Sequence, residues 1–224
     1  MSRVHDMGGR FGDGPVVPEA EDGPVFPKDW HGRALALTLA SGSLRKWNID
    51  VSRHMRERLS PQDYTAFSYY EKWVSGLANL LEEHGVVSRD ELSGGAVEPS
   101  ELAGLKLAPE AVAGVLSSGG PADRPSNVPV AFEDGDVVLT RARSANAHTP
   151  GGHTRLPQYA AGARGRVLRC HGTHVLPDDS AHGRGESPEP LYAVVFPASE
   201  LWDAPEHPDD EVVLDLWQCY LTQA

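Results

Sequence analysis

The chain has 224 residues and carries 20 Lys and Arg against 32 Asp and Glu, a formal net charge of −12. Gripping a phosphate backbone needs clustered positive charge, so this balance disfavours a nucleic-acid partner. Two cysteines, Cys170 and Cys219, make neither a disulfide framework nor a zinc cluster. No apolar run of about 18 residues marks a membrane span, and no apolar core opens the chain as a signal peptide, so a soluble cytoplasmic protein is expected.

Residues 1–28 read as an extended arm. Gly8, Gly9, Gly12, Gly14, Pro15, Pro18, Gly23, Pro24 and Pro27 interrupt any regular element, yet Val4, Met7, Phe11, Val16, Val25 and Phe26 give it apolar side chains to lay on a surface. Residues 29–118 read as a helical domain. Asp29 starts a helix to about Leu44, and Asn48 or Asp50 caps a short one ending near Leu59. Ser60-Pro61 joins a capping hydroxyl to proline at the first helical position. The helix it opens is expected to run unbroken to His84, about 36 Å, with Gly85 as its stop. Its residues fall in two apolar stripes, Tyr64, Phe67, Tyr70, Val74, Leu77 and Leu81 beside Tyr69, Trp73, Gly76 and Leu80. A surface helix needs one stripe, so two imply burial on two sides, one of them facing this chain's own core. Ser88-Arg89-Asp90-Glu91 has capping-box spacing, and Pro109 opens a last helix to about Leu116.

Residues 119–130 are linker in composition, and residues 131–224 form the second domain. Short strands are expected at 137–141, 165–169, 192–196 and 212–216, separated by Gly, Pro and Asp. Phe132-Glu133-Asp134-Gly135-Asp136-Val137-Val138-Leu139, with Arg164-Gly165-Arg166-Val167 after it, resembles an SH3-like barrel. The fold class is therefore α+β: an all-α N-terminal domain with an extended arm, then an SH3-like β-barrel.

Self-contained chemistry is hard to find. Cys170-His171-Gly172-Thr173-His174 is the best local metal-ligand cluster, but on a strand entering a turn it lacks a full ligand set. Asp178, Asp179, His182 and Glu186 lie in a Pro/Gly-rich loop and read as solvated. Cys219, between Trp217 and Tyr220, reads as a small buried hydrophobe. Neither a nucleophile elbow nor a phosphate-binding glycine loop is present. A subunit or binding module fits better than a standalone enzyme.

Several motifs recur in one known order. Val4-His5-Asp6-Met7-Gly8-Gly9 opens the chain. Ser60-Pro61-Gln62-Asp63-Tyr64 and Tyr69-Tyr70-Glu71-Lys72-Trp73 follow. The stretch His153-Thr154-Arg155-Leu156-Pro157 comes next, then Gly185-Glu186-Ser187-Pro188-Glu189, Leu191-Tyr192 and Glu200-Leu201-Trp202. In order and spacing the chain resembles the beta subunits of nitrile hydratase, which add water to nitriles to make amides. Lys46, Trp47 and Asn48 depart from the family's pattern.

The resemblance implies a partner, an alpha subunit whose oxidised cysteines hold cobalt(III) or, alternatively, iron(III), in an (αβ)2 heterotetramer. No metal ligand is then expected in this chain. It implies that Arg53, in Ile49-Asp50-Val51-Ser52-Arg53, and Arg155 hydrogen-bond those cysteine oxygens, and that Tyr69, Tyr70 and Trp73 border the nitrile pocket. Trp73 leans the family likeness towards cobalt. On their residues alone, Arg53 reads as a surface arginine beside Arg56 and Arg58, Arg155 as a loop arginine, and the aromatic helix face as core. The competing reading is a non-catalytic SH3-like adaptor, or a metal-delivery accessory protein, though such accessories are shorter than this chain. Thiocyanate hydrolase splits the corresponding part into two chains, and one continuous chain favours nitrile hydratase.

Overall fold

The computed structural model describes residue 15 and residues 17–97, 99–142 and 152–224. The opening motif at 4–9 and most of the expected arm lie outside the described residues. Two compact units divide the chain, a helical one ending at Gly120 and a β-rich one resuming at Pro121.

In the helical unit, residues 17–28 contain no helix or strand and are exposed. The Phe26 ring lies against Gly32 and 6.0 Å from the ring of Tyr70. Helix α1 spans Asp29–Gly42, and α2 spans Ile49–Glu57. Asn48 caps α2, its side chain accepting from the N–H groups of Asp50 and Val51. This satisfies two of the donors a helix start leaves unpaired. Asn48 is therefore explained by local backbone chemistry.

The expected long helix is two helices. Helix α3 covers Pro61–Ala66 and α4 covers Tyr69–Glu83, with Phe67 extended between them at φ −74°, ψ 137°. Ser60 caps α3 by accepting from Asp63 N–H. The break has a local cause: Ser68 restarts the helix, and the Glu71 carboxylate reaches back to accept the Ser68 N–H at 2.7 Å. Because of the break, the two apolar stripes do not run on as expected. Within α4 only Gly76, Leu77 and Leu80 are buried, whereas Tyr69 and Val74 are exposed. Both α1 and α2 pack on α4, with Ala34, Met55, Leu77 and Leu80 forming the buried centre. Gly76 permits the α2 contact, since a Cβ there would stand 2.8 Å from Arg56 Cγ. Short α5 (Arg89–Leu92), a 3-10 turn (Glu101–Leu105) and α6 (Pro109–Ser118) complete the unit. Gly85, at φ +63°, follows α4 as expected.

The second unit is a five-stranded antiparallel sheet in the order β4-β3-β2-β1-β5. Its strands are β1 (Val137–Thr140), β2 (Arg164–His174), β3 (Glu189–Pro197), β4 (Glu211–Trp217) and β5 (Leu221–Gln223). The first four fall where the sequence places them, with β2 and β3 longer. The fifth was not anticipated. Among the described residues β4 and β5 do not pair, so the five strands form an open ladder there. Short helices α7 (Pro177–Ser180) and α8 (Ala198–Leu201) lie in the connections.

Phe132, Val138, Leu156, Val167, Tyr192, Val194, Phe196, Leu216, Tyr220 and Leu221 make its core. Gly165 lets the sheet close over that core, because a Cβ there would meet Val194 at 2.6 Å and Phe196 at 2.7 Å. No described helix is long and apolar enough to cross a membrane.

Candidate functional site

In the helical unit, α2, α3 and α4 surround a recess of about 250 Å³ lined by Arg53, Arg56, Glu57, Tyr64, Tyr69, Lys72 and Trp73. Positions 53 and 56 are three apart on a helix and so share a face. Arg53 donates from Nη1 to Asp50 Oδ1 at 3.1 Å. Its side chain is 42% exposed, while that of Asp50 is 7% exposed. The Arg56 guanidinium carbon lies 4.0 Å from the centre of the Trp73 ring, and its Nη2 donates to Ser52 Oγ at 3.1 Å. Burial against the ring, with Arg53 close by, pulls the Arg56 pKa down, while Tyr69 and Glu57 partly counter this. Lys72 Nζ stands 4.6 Å over the Tyr64 ring. Burial, and Glu57 nearby, push the Tyr64 phenol up.

Three of the five site residues expected from the sequence, Arg53, Tyr69 and Trp73, line this recess together. Tyr70 turns the other way, to α1, its ring centre 4.6 Å from that of His31 and 6.5 Å from that of Trp30. It also touches Tyr69 and Trp73 at ring-centre distances of 5.1 and 6.1 Å. Arg56, Tyr64, Glu57 and Lys72 were not anticipated. The arginine spacing was the available signal, whereas Tyr64 and Lys72 are brought in by the α3–α4 break.

Arg155 belongs to the β-rich unit and is exposed. Its neighbours His153 and Leu156 are wholly buried. Its backbone N–H donates to the Tyr220 hydroxyl at 3.1 Å, and the Thr154 hydroxyl donates to the same oxygen at 3.3 Å. The Tyr220 hydroxyl in turn donates to Asp178 Oδ2. Further on, buried Thr140 Oγ1 donates to Ala160 C=O at 2.5 Å and accepts from Ala163 N–H at 3.0 Å. A segment with little regular structure of its own is thus held from within the fold.

The expectation that Asp178, Asp179, His182 and Glu186 are solvated holds for exposed Glu186 and needs correction at Asp178, with Asp179 and His182 partly buried. Asp178 is 8% exposed, in α7 with buried Pro177 and Ser180. Burial pushes its carboxyl pKa up, against the opposing pull of Tyr220 and His153. Burial and the neighbouring Asp178 push the Tyr220 phenol well above its ordinary value. Asp179 pairs with Arg184 at 2.7 Å and Glu186 with Arg124 at 2.8 Å. His182 Nδ1 lies 2.8 Å from Asp178 C=O.

The donor set for a thiolate-held metal is absent from this sequence, whose two cysteines are both free. Each packs against the β-rich core, and burial raises the Cys219 thiol pKa far above its ordinary value. A raised thiol is a poor thiolate ligand.

The architecture is that of a two-unit α+β protein with a basic, aromatic-lined recess on its helical half. Family models for the N-terminal and C-terminal parts of the nitrile hydratase beta subunit match residues 1–116 and 121–223. The low-molecular weight cobalt-containing nitrile hydratase subunit beta of Rhodococcus rhodochrous is 35% identical over 231 residues, covering 100% of both chains. The nitrile hydratase subunit beta of Pseudomonas putida is 37% identical over 226 residues, again covering 100% of both. The cobalt-containing subunit beta of Pseudonocardia thermophila is 32% identical, covering 99% of this chain and 96% of that one. This chain belongs to the nitrile hydratase beta-subunit family, whose members are subunits of nitrile-hydrating enzymes.

Proposed function

We propose that this chain is the beta half of a nitrile hydratase and works only with an alpha subunit that holds the metal. The observation carrying this reading is that both halves of the family pattern match in order from end to end of the chain. The missing thiolate set in this chain supports placing the metal in the partner. Cobalt is the metal favoured, from the names of two relatives and from Trp73. When bound, the metal supplies Lewis acidity for adding water to the nitrile.

This chain's own contribution is positional and electrostatic. Arginine stays charged and presents a planar fork of five donors, so it cannot serve as a base but holds anionic oxygens well. Arg53 and Arg155 are read as donors to the oxygens of the partner's oxidised cysteines. Asp50 engages only one nitrogen of Arg53, which leaves further donors to offer. Tyr69 and Trp73 offer aromatic walls for the apolar body of a nitrile, with Tyr70 behind them. The reading includes the arm over 1–28, the helical domain over 29–118, the linker over 119–130 and the barrel domain over 131–224. Five antiparallel strands that share one core support an SH3-like barrel, although among the described residues no β4–β5 pairing closes the ladder. An (αβ)2 assembly in the cytoplasm completes it.

The test is to express the chain alone and together with an alpha subunit, then measure amide formation and bound metal. The complex should be active and contain cobalt. Turnover by this chain alone, or a complex that forms without converting any nitrile, overturns the reading.

A further inference from the structure

The Tyr220 hydroxyl has one proton to give and two lone pairs to accept with. All three are used: it donates to Asp178 and accepts from the Arg155 N–H and the Thr154 hydroxyl. Leu156 N–H then donates to Thr154 Oγ1 at 3.2 Å, so the contacts continue along the segment. Tyr220 is wholly buried, and Asp178 comes from α7, 42 residues earlier in the sequence. Leu156, which follows Arg155, and His153, two residues before it, are also wholly buried, with Thr154 partly buried between. The Arg155 side chain is thus the outward element of a segment fixed from below through its own amide.

We propose that the Asp178–Tyr220 pair positions Arg155, setting where its guanidinium is presented to the partner's active centre. The proposal rests on the reading of Arg155 given above. Neither Tyr220 nor Asp178 is assigned contact with the substrate. Each acts through the backbone of Arg155. Without the Tyr220 oxygen, the Arg155 N–H and the Asp178 carboxylate lose their shared partner. The segment then samples other positions, and displacements of about 1 Å are enough to lower turnover on the order of 10²-fold.

The test is a double-mutant cycle in the complex with the alpha subunit, using Tyr220→Phe, Arg155→Lys and the pair, with amide hydrogen exchange over 152–157 as a second readout. Tyr220→Phe is expected to assemble, to speed exchange at the Arg155 amide and to lower kcat about 10²-fold. In the Arg155→Lys background it should lower kcat no further. Losses that multiply, or exchange that does not change, overturn the proposal. Full activity of Arg155→Lys brings down the reading of Arg155 instead, and the proposal with it. Should Tyr220→Phe fail to assemble, Asp178→Asn keeps an acceptor of the same shape. It should give a smaller kcat loss that likewise vanishes in the Arg155→Lys background, and a loss that persists there overturns the proposal.

Discussion

Arg53 Nη1 donates to Asp50 Oδ1 at 3.1 Å, a half-exposed guanidinium tied to a buried carboxylate one turn earlier in α2. Asp50 thus engages one nitrogen of the fork, while the arginine lines the recess. Arg53→Lys keeps the charge and loses the fork. By comparison with other preorganised donors, kcat in the complex should fall about 10²–10³-fold with assembly intact. Asp50→Asn should give a smaller loss, because the arginine remains and only its aim is loosened. Steady-state kinetics of both variants check this, and unchanged kcat in Arg53→Lys refutes the role given to Arg53.

Gly76 of α4 lies against Arg56 of α2. A Cβ there would sit 2.8 Å from Arg56 Cγ and 3.5 Å from the Arg56 backbone, so the arginine stem must shift. Overpacking of this kind typically costs about 1–3 kcal/mol. Gly76→Ala should therefore lower Tm and tilt Arg56 off the Trp73 ring, where it now lies 4.0 Å from the ring centre. Thermal unfolding measures the first effect, and the tryptophan fluorescence of the folded protein reads the second. A gain in Tm, from helix propensity outweighing the clash, is the opposite result.

Much of the helical unit was legible because its signals are local. Asn48, Ser60-Pro61 and Ser88 act within one turn of themselves, and each begins a helix as the sequence indicates. The break at Phe67–Ser68 was also written locally, as Ser68-x-x-Glu71, but a periodic apolar run across it masked the restart. Strand β5 is three residues long and shows no alternation of its own, so its pairing with β1 decides it. The burial of Asp178 depends on Tyr220, far away in sequence, and a Pro/Gly-rich neighbourhood points the other way. The recess was half legible for the same reason. Arg53 and Arg56 share a helix face by spacing, whereas Tyr64 and Lys72 join them only through the turn between α3 and α4.

Glu71 gives that restart a pH dependence. Hydrogen bonds from Ser68, the side chain first and the backbone N–H second, hold its carboxyl pKa below the ordinary 4.5. A carboxyl depressed in the folded state stabilises fully above its unfolded pKa, and that support is lost as pH falls through the folded one. Wild-type protein should thus lose stability below about pH 4.5 partly through this group. Glu71→Gln should remove that part of the acid limb and lie closer to wild type at acid pH than at neutral pH. Denaturant midpoints at several pH values measure this. Parallel curves for the two proteins contradict it.

Thr140 makes a separate prediction for the segment that carries Arg155. Its buried hydroxyl donates to Ala160 C=O and accepts from Ala163 N–H, joining β1 to the 3-10 turn at Gln158–Ala160. Thr140→Val keeps the shape and removes the hydroxyl that both groups bond, leaving them only the long Ala163 N–H to Ala160 C=O contact of 3.4 Å. Weakening a buried donor and acceptor in this way should cost about 1 kcal/mol, the low end of what an unpaired buried group costs. The urea midpoint should fall by the corresponding amount, with the m-value unchanged because the surface exposed on unfolding stays the same. Loss of the Ala160 tether should also loosen the backbone that follows Arg155, while the Tyr220 contact at Arg155 itself holds. Exchange at the Ala163 amide should therefore speed up more than exchange at the Arg155 amide. Equal acceleration at both would mean that the segment opens as one piece and that Thr140 and Tyr220 are not separate anchors.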